Sequence, residues 1–193
     1  MTDTKTLDGE LTPPESRPRP GFLSGRGWRW LAAGLVVTLL VLLGWGLRAK
    51  AGGPLESGPA PDFSLTTFQG ETVTLSKLRN QVVIINFWAS WCPPCREEAP
   101  YLEATWRKYK GRGVVFIGLD YIDAKPNALA YIKEFDITYP NGPDIGEKSA
   151  QAYQIKGVPE TFFVDKTGQL RGMHVGPLSP PTLDDKIEEL LAE

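Results

Sequence analysis

Hydrophobic residues along the chain fall into one long run near the N-terminus and several shorter runs after residue 61. The long run extends from Trp30 to Leu47 and has no charged residue between Arg29 and Arg48. A stretch of this length approaches the roughly 20 apolar residues that a helix needs to cross a bilayer. We therefore predict a single transmembrane helix over residues 28–47, which would contact the lipid bilayer.

The shorter runs alternate between strand-like and helix-like patterns. They predict a hairpin (residues 63–68 and 72–75), a buried strand (82–87), a helix (96–109), a second strand (114–119), a second helix (127–135), a second hairpin (161–164 and 169–175) and a closing helix (182–191). Leu129 and Ile132 are expected to face inward in the second helix, and Pro100 to kink the first. Alternation of strands and helices indicates an α/β class with parallel pairing, and the hairpins make the sheet mixed.

The segments on either side of the apolar run are predicted to lack regular structure. Residues 1–27 are rich in Pro, Gly and Ser and are expected to be a disordered tail, and residues 48–60 a flexible Gly/Pro linker to a domain over 61–193. More Lys and Arg residues precede the run than follow it, which predicts a cytoplasmic N-terminus and an extracytoplasmic domain. A cleaved signal peptide ending at Ala49-Lys50-Ala51 is the alternative, and it exports the domain equally.

Composition limits the classes of function. The chain has 193 residues, of which 41% are hydrophobic and 23% charged, with a formal net charge of -2. This indicates one domain with appendages and gives no basic surface for nucleic acid. Two cysteines are too few for a four-cysteine zinc site, and His174, the one histidine, has no ligand spacing, so we expect neither a metal nor a cofactor.

The two cysteines carry the candidate chemistry. Cys92 and Cys95 lie at the turn between the buried strand and the following helix, where Cys92 is predicted to be the helix cap. A thiolate there faces free N–H groups and the helix dipole, which lower a cysteine pKa from about 8.5 to roughly 3.5–7.5. Cys92 is the predicted nucleophile, and Cys95, one turn along the same face, can form a disulfide with it. Pro93 and Pro94 lack N–H donors, which predicts a more reducing couple.

These motifs resemble the thioredoxin family. The similarity rests on the Trp-Cys-Pro-Pro-Cys turn, a helix with an internal proline, and the later Gly157-Val158-Pro159-Glu160 segment. The Ala60-Pro61-Asp62-Phe63 entry and the apolar run narrow it to membrane-anchored thiol:disulfide oxidoreductases of the TlpA/ResA/CcmG (DsbE) type. The resemblance implies a thioredoxin-like fold with an N-terminal β-hairpin extension.

The resemblance also implies further site residues. It implies that Pro159 is cis and that Val158 and Pro159 bind substrate beside the cysteines, together with Pro94. Glu98 and Glu160 occupy positions where related reductases place acids that move protons, although a solvated helix face is an alternative for Glu98. Asn86 replaces the buried aspartate of cytoplasmic thioredoxins. From the residues alone, Trp91 is expected to be an exposed aromatic that docks substrate, and Trp88 to lie in the core.

The function that the resemblance implies is a membrane-tethered reductase of client protein disulfides. Its clients would include apocytochrome c during cytochrome c maturation, and a membrane thiol-electron donor of the CcdA or DsbD kind would supply electrons. Three alternatives stay open: a dithiol oxidase, a peroxiredoxin-like peroxidase and a client-binding module without turnover. Ala89 argues against the peroxidase, because those enzymes have Thr or Ser three residues before the reactive cysteine.

Overall fold

The computed structural model describes residues 25–50 and 55–193, which belong to two compact units divided near residue 51. The first unit contains helix α1, Gly25–Lys50. Its stretch Gly27–Trp45 is long and apolar enough to cross a membrane, a test that a signal sequence also passes. The predicted tail lies outside the described residues up to residue 24, and residues 25–27 are helical rather than disordered.

The second unit is a mixed sheet flanked by helices. Its strands are β1 (Gly58–Pro59), β2 (Ser64–Thr66), β3 (Thr72–Thr74), β4 (Val82–Trp88), β5 (Val114–Asp120), β6 (Asn141–Pro143), β7 (Glu160–Val164) and β8 (Gln169–Val175). Its helices are α2 (Pro93–Tyr109), α3 (Lys125–Glu134), α4 (Lys148–Ala152) and α5 (Pro180–Ala192). Short 3₁₀ turns occupy Leu75–Lys77, Lys110–Arg112 and Ile145–Glu147.

Six strands form the main sheet in the order β1-β8-β7-β4-β5-β6. Strands β4, β5 and β6 are parallel, whereas β7, β8 and β1 continue the sheet in antiparallel pairs. Strands β2 and β3 form a separate antiparallel hairpin. The strands and helices form the mixed α/β class that the sequence pattern predicts, and they have the thioredoxin-like fold with a hairpin extension that the resemblance implies.

Strand β4 lies at the centre and has apolar side chains on both faces. Val82, Ile84 and Trp88 join the core beneath α2, α3 and α5, while Val83 and Ile85 join the core beneath the hairpin and α4. Successive residues of a strand point to opposite faces, so apolar residues at consecutive positions are what a strand covered on both sides requires, and Asn86 is the polar exception in β4. The strand ends at Trp88, and the turn that carries Cys92 follows it directly.

Several boundaries differ from the prediction. The predicted linker over 48–60 begins inside α1 and ends inside the sheet, because Gly58–Pro59 pair with β8; residues 51–54 lie outside the described part. Leu129 is exposed, so its inward assignment is wrong; the buried face of α3 carries Ala128 and Tyr131, with Ile132 packed against the core. Pro100 lies within a continuous α2.

Candidate active site

The two cysteines form a disulfide at the beginning of α2. The S–S distance is 2.09 Å and the Cα atoms are 5.3 Å apart. Cys92 is the N-cap, and its Sγ accepts a hydrogen bond from the Cys95 backbone N–H at 3.2 Å. Both cysteines are buried, Cys92 with 2% of its surface exposed and Cys95 with none. In this oxidised state the protein therefore covers its sulfur atoms almost completely.

Pro93 and Pro94 reduce the number of backbone N–H groups that can donate a hydrogen bond to Cys92 Sγ. An N-cap side chain ordinarily accepts from the N–H of the second or third helical residue. Pro93 is the first and Pro94 the second, and neither has an N–H. The Cys95 N–H is therefore the donor of the first turn that reaches Cys92 Sγ.

The segment before β7 faces the disulfide. The Val158–Pro159 peptide bond is cis, and the Val158 carbonyl oxygen lies 3.5 Å from Cys92 Sγ. The Pro159 carbonyl accepts a hydrogen bond from the Gly176 N–H at 2.9 Å, which ties the segment to the end of β8. Val158 is half-buried and Pro159 buried. The Val158 carbonyl thus lies beside Cys92, and the bond before Pro159 is cis, as the resemblance implies.

The Glu160 side chain forms hydrogen bonds with the backbone of this segment. Its side chain is buried, and Oε1 accepts hydrogen bonds from the backbone N–H groups of Lys156 at 2.7 Å and Gly157 at 3.1 Å. The other oxygen, Oε2, is buried without a hydrogen-bond partner among the described residues. Glu160 therefore fixes the backbone that leads into Val158.

Glu98 lies one turn beyond Cys95 on the buried face of α2, so the solvated-face alternative does not apply. It is 1% exposed, and its two oxygens accept hydrogen bonds from Asn86 Nδ2 and from the Leu178 N–H, both at 2.9 Å. Burial raises the pKa of Glu98 from 4.5 to about 7, although both hydrogen bonds favour the charged form. Near neutral pH this carboxyl can therefore take up or release a proton.

Asn86 connects Glu98 to the sheet. It is buried in β4 on the face that α2 covers, and its Nδ2 donates to Glu98 Oε1 and to Thr161 Oγ1 at 3.0 Å. An amide donates these bonds without carrying a charge. Asn86 consequently orients the Glu98 carboxyl without adding a charge beside it.

Tyr131, in α3, contacts the cysteine turn and was not identified from the sequence patterns. Its hydroxyl donates to the Cys95 carbonyl at 2.8 Å, and its ring stacks on Trp88 with centroids 4.3 Å apart. Trp88 is buried as expected, and its Nε1–H donates to Asn141 Oδ1 at 2.8 Å. A Cβ on Gly118 would lie 1.7 Å from that Asn141 oxygen, so glycine is required there.

Trp91 is exposed at the rim of the site, as predicted, with 56% of its surface accessible. Its Nε1–H donates to the Ile122 carbonyl at 3.0 Å, and the Ser90 N–H donates to Asp123 Oδ2 at 2.7 Å. The turn after β5 therefore packs against the cysteine turn. Polar residues at the carboxyl end of a strand parallel to β4 were the available signal for this contact.

Asp120 lies at the base of that turn. It is buried at the end of β5, where it pairs in register with Trp88, and its Oδ1 has no hydrogen-bond partner among the described residues. Burial, and then the neighbouring Asp123 carboxyl, raise the pKa of Asp120 from 3.8 to about 7. A second titratable carboxyl thus lies beside the cysteine turn, across β4 from β7.

No metal centre is apparent in the described part of the chain: residues 25–50 and 55–193 contain no group of three His, Cys, Asp or Glu side chains that could hold an ion. His174 lies in β8 and pairs in register with Thr161. The chemically active groups that the structure brings together are a disulfide and buried carboxyls. Such a set suits thiol–disulfide exchange.

Comparisons with known proteins agree with this geometry. The family model described as the AhpC/TSA family matches residues 57–173. A thiol:disulfide interchange protein DsbE of Allochromatium vinosum is 35% identical over 82% of this chain and 90% of its own length. A thiol-disulfide oxidoreductase ResA of Bacillus cereus is 30% identical over 68% of this chain and 76% of its own length. The crystal structure of a thioredoxin-family thiol:disulfide interchange protein of Chlorobium tepidum superposes with a TM-score of 0.66 at 32% identity, covering 72% of this chain and 98% of that one.

Proposed function

Because this chain belongs to the AhpC/TSA family and is a thioredoxin-like thiol:disulfide oxidoreductase of the ResA/DsbE type, we propose that it reduces disulfides of client proteins outside the cytoplasm. The observation that carries the proposal is the position of Cys92. Its sulfur caps a helix, is bonded to Cys95 and faces the Val158 carbonyl. A helix cap stabilises a thiolate, the species that attacks a disulfide.

The exchange proceeds in two displacements. In the reduced protein the Cys92 thiolate attacks one sulfur of the client disulfide, forming a Cys92–client bond and releasing the other client sulfur as a thiolate. Cys95 then loses its proton and attacks Cys92 Sγ, which releases the second client thiolate and forms the Cys92–Cys95 disulfide. Two electrons pass to the client, whose thiolates take up two protons. The bonded cysteine pair described above is the product of this reaction.

Glu98 is the group that we assign to the Cys95 proton. The two residues lie three positions apart on one helix, where side chains are neighbours, and the pKa of about 7 lets the carboxylate accept a proton at neutral pH. Glu160 acts differently in this proposal. It positions the backbone before Pro159 through its bonds to two N–H groups.

Client binding is assigned to the surface around Cys92. Val158 and Pro159 lie beside the sulfur, Pro94 lies next to the cap, and Trp91 is exposed at the rim. Backbone beside the cysteines can pair with an extended client strand, which places the client sulfur without reading its sequence. The proposed client is oxidised apocytochrome c, because reduction of its C-x-x-C-H disulfide precedes haem attachment. A CcdA- or DsbD-like membrane protein would return the electrons.

A trapping experiment tests the direction and the roles of the cysteines. With Cys95→Ser, the full-length protein in detergent should form a stable mixed disulfide with an oxidised C-x-x-C-H peptide, whereas the matched Cys92→Ser variant should form none. The reduction potential should lie near the roughly -270 mV of thioredoxin. A value near about -120 mV would identify an oxidase. Peptide binding without reduction would identify a binding module, and consumption of peroxide a peroxidase.

The location is proposed from α1 and from the charges that flank it. The two cysteines are the only ones in the sequence, so a membrane-impermeant maleimide reports the location of the domain directly. After mild reduction of intact spheroplasts, we expect labelling without detergent. Labelling only after detergent lysis would place the domain in the cytoplasm. Loss of residues 1–51 from the mature protein would indicate a cleaved signal peptide instead of an anchor.

A further inference from the structure

Tyr131 contacts the chain on both sides of the cysteine turn. Its ring stacks on Trp88, the last residue of β4, with the ring planes 16° from parallel. Its hydroxyl donates to the Cys95 carbonyl in the first turn of α2. One side chain of α3 therefore connects the end of the strand to the second cysteine, and Cys92 lies between the two contacts in the sequence.

The surroundings of Tyr131 fix the position of its hydroxyl. The side chain is buried, and the Arg96 guanidinium and the Phe135 ring cover its ring, with centroid distances of 5.7 Å and 4.8 Å. Trp88, on which the ring stacks, is itself held by its hydrogen bond to Asn141. Burial raises the pKa of Tyr131 above its ordinary value of 10, so the hydroxyl keeps its proton and remains a donor at neutral pH.

The hydrogen bond from Tyr131 is additional to those of the helix. A carbonyl inside an α-helix accepts from the N–H four residues further on, and its second lone pair allows it to accept from a side chain as well. Cys95 lies in the first turn of a helix that continues to Tyr109. Removal of the Tyr131 hydroxyl alone should therefore loosen the position of Cys95 without unfolding the beginning of α2.

We propose that Tyr131 is a positioning residue for the second displacement and holds Cys95 where its sulfur can attack Cys92 Sγ. The inference rests on the exchange reaction proposed above and names a group that acts on its second step. In that step a bond forms between the two cysteine sulfurs, and the bond from Cys92 to the client breaks. The client sulfur leaves with the electron pair and takes up a proton.

The physical reason is the effective concentration of one sulfur at the other. A group held in reacting geometry behaves as if it were present at a very high concentration, and small displacements reduce that advantage. The hydroxyl binds the backbone of Cys95 itself, so it acts directly on the residue that must reach Cys92. Its loss should make closure of the internal disulfide less favourable, for clients of any kind.

The test is the equilibrium of the full-length protein in detergent with glutathione. Reduced protein and glutathione disulfide form the Cys92–Cys95 disulfide and two molecules of reduced glutathione, and mass spectrometry after acid quenching gives the oxidised fraction. Tyr131→Phe keeps the ring and removes the hydroxyl. The equilibrium constant should fall roughly fivefold, as expected for the net contribution of one hydrogen bond, which makes the reduction potential about 20 mV less negative.

Tyr153→Phe is the matched control. Tyr153 is also buried, and its hydroxyl also donates to a backbone carbonyl, that of Pro61, at 2.9 Å. It belongs to the core on the other face of β4, beneath the hairpin and α4. A hydrogen bond that only stabilises the fold contributes equally to the oxidised and reduced protein, so this variant should keep the equilibrium constant of the wild type.

A second background assigns the effect to the second displacement. With Cys95→Ser, exchange stops at the mixed disulfide between Cys92 and glutathione, and addition of Tyr131→Phe should leave the formation of that species unchanged. An equal fall in this background would show that the hydroxyl acts on Cys92 and would overturn the inference.

The remaining outcomes separate the inference from the proposed function. If the wild type exchanges with glutathione and Tyr131→Phe has the same equilibrium constant, Tyr131 has only a structural role and the proposed function stands. Equal shifts in Tyr131→Phe and Tyr153→Phe would likewise refute the positioning role. If the wild type forms neither a mixed nor an internal disulfide, the exchange reaction fails, and this inference fails with it.

Discussion

Replacement of Glu98 by glutamine should remove a large part of the pH dependence of stability. Glu98 is buried and forms no ion pair with any cation among the described residues; Asn86 and the Leu178 N–H donate to its two oxygens. Burial nevertheless prevails and raises its pKa from 4.5 to about 7. Glu98→Gln keeps the shape of the side chain and eliminates the titration.

The magnitude follows from linkage between proton binding and folding. The folded state binds the Glu98 proton more tightly than the unfolded chain, so the bound proton stabilises the fold. That stabilisation is complete below about pH 4.5 and is lost as the pH rises through about 7. A tenfold change in proton affinity is worth about 1.4 kcal/mol, so the wild type should lose about 2–3 kcal/mol between pH 5 and pH 8 through this group.

The measurement is guanidinium unfolding of the oxidised, full-length protein in detergent, followed by near-ultraviolet circular dichroism at pH 5 and pH 8. A hydrogen bond lost by the glutamine shifts its stability equally at both values, so the informative quantity is the change with pH. Asp120 also titrates in this range and contributes to both proteins, which cancels in their difference. Parallel stabilities for wild type and Glu98→Gln across this range would refute the raised pKa.

Three further substitutions test other parts of the site. Pro94→Ala restores an N–H at the second helical position, which should stabilise the Cys92 thiolate by about 1.5–3 kcal/mol and raise the reduction potential by roughly 30–60 mV. The control, Pro93→Ala, restores an N–H at the first position and should change the reduction potential little. Glu160→Ala leaves two backbone N–H groups unpaired and should lower the free energy of unfolding by about 3 kcal/mol, whereas Glu160→Gln keeps an acceptor and should cost less than about 1 kcal/mol. Asp120→Asn should stabilise the protein at pH 8 relative to pH 5, because the raised pKa of the native carboxyl is removed; equal effects at both pH values would contradict this.

The central elements could be predicted because each has a pattern of its own. The run before the cysteines is short, rich in β-branched residues and apolar at consecutive positions, which indicates a strand covered on both sides, and it forms β4. Cys92 follows that run directly and precedes a helical stripe, so its place as the N-cap followed from the order of the residues. The two hairpins had turn residues between β-prone runs.

Other elements have no local signal. Strands β1 and β6 contain two and three residues, and α4 contains five; pairing with β8 and β5 or packing beside the hairpin determines them. The face of α3 was assigned from Leu129, whereas the buried positions follow Ala128 and Tyr131. A short helix gives too few turns to fix its phase from apolar residues alone.

Part of the candidate site could likewise be predicted from the sequence, and part of it could not. Cys92, Cys95 and Glu98 are close in sequence and share a helix, so their proximity could be inferred. Contacts between the cysteine turn and Ile122 or Asp123 join residues about thirty positions apart, and they exist because β4 and β5 are parallel and end at one edge of the sheet. Sequence spacing cannot show which side chains meet at such an edge.

Glu98 and the turn after β5 lie in different parts of the fold. Glu98 lies in α2, three positions after Cys95, and its carboxyl is buried. Ile122 follows β5 and is exposed, and its carbonyl accepts a hydrogen bond from the Trp91 indole. Because the hydrogen bonds of Glu98 and Ile122 in the described part of the chain have different partners, a substitution in the turn after β5 should leave the pKa of Glu98 unchanged.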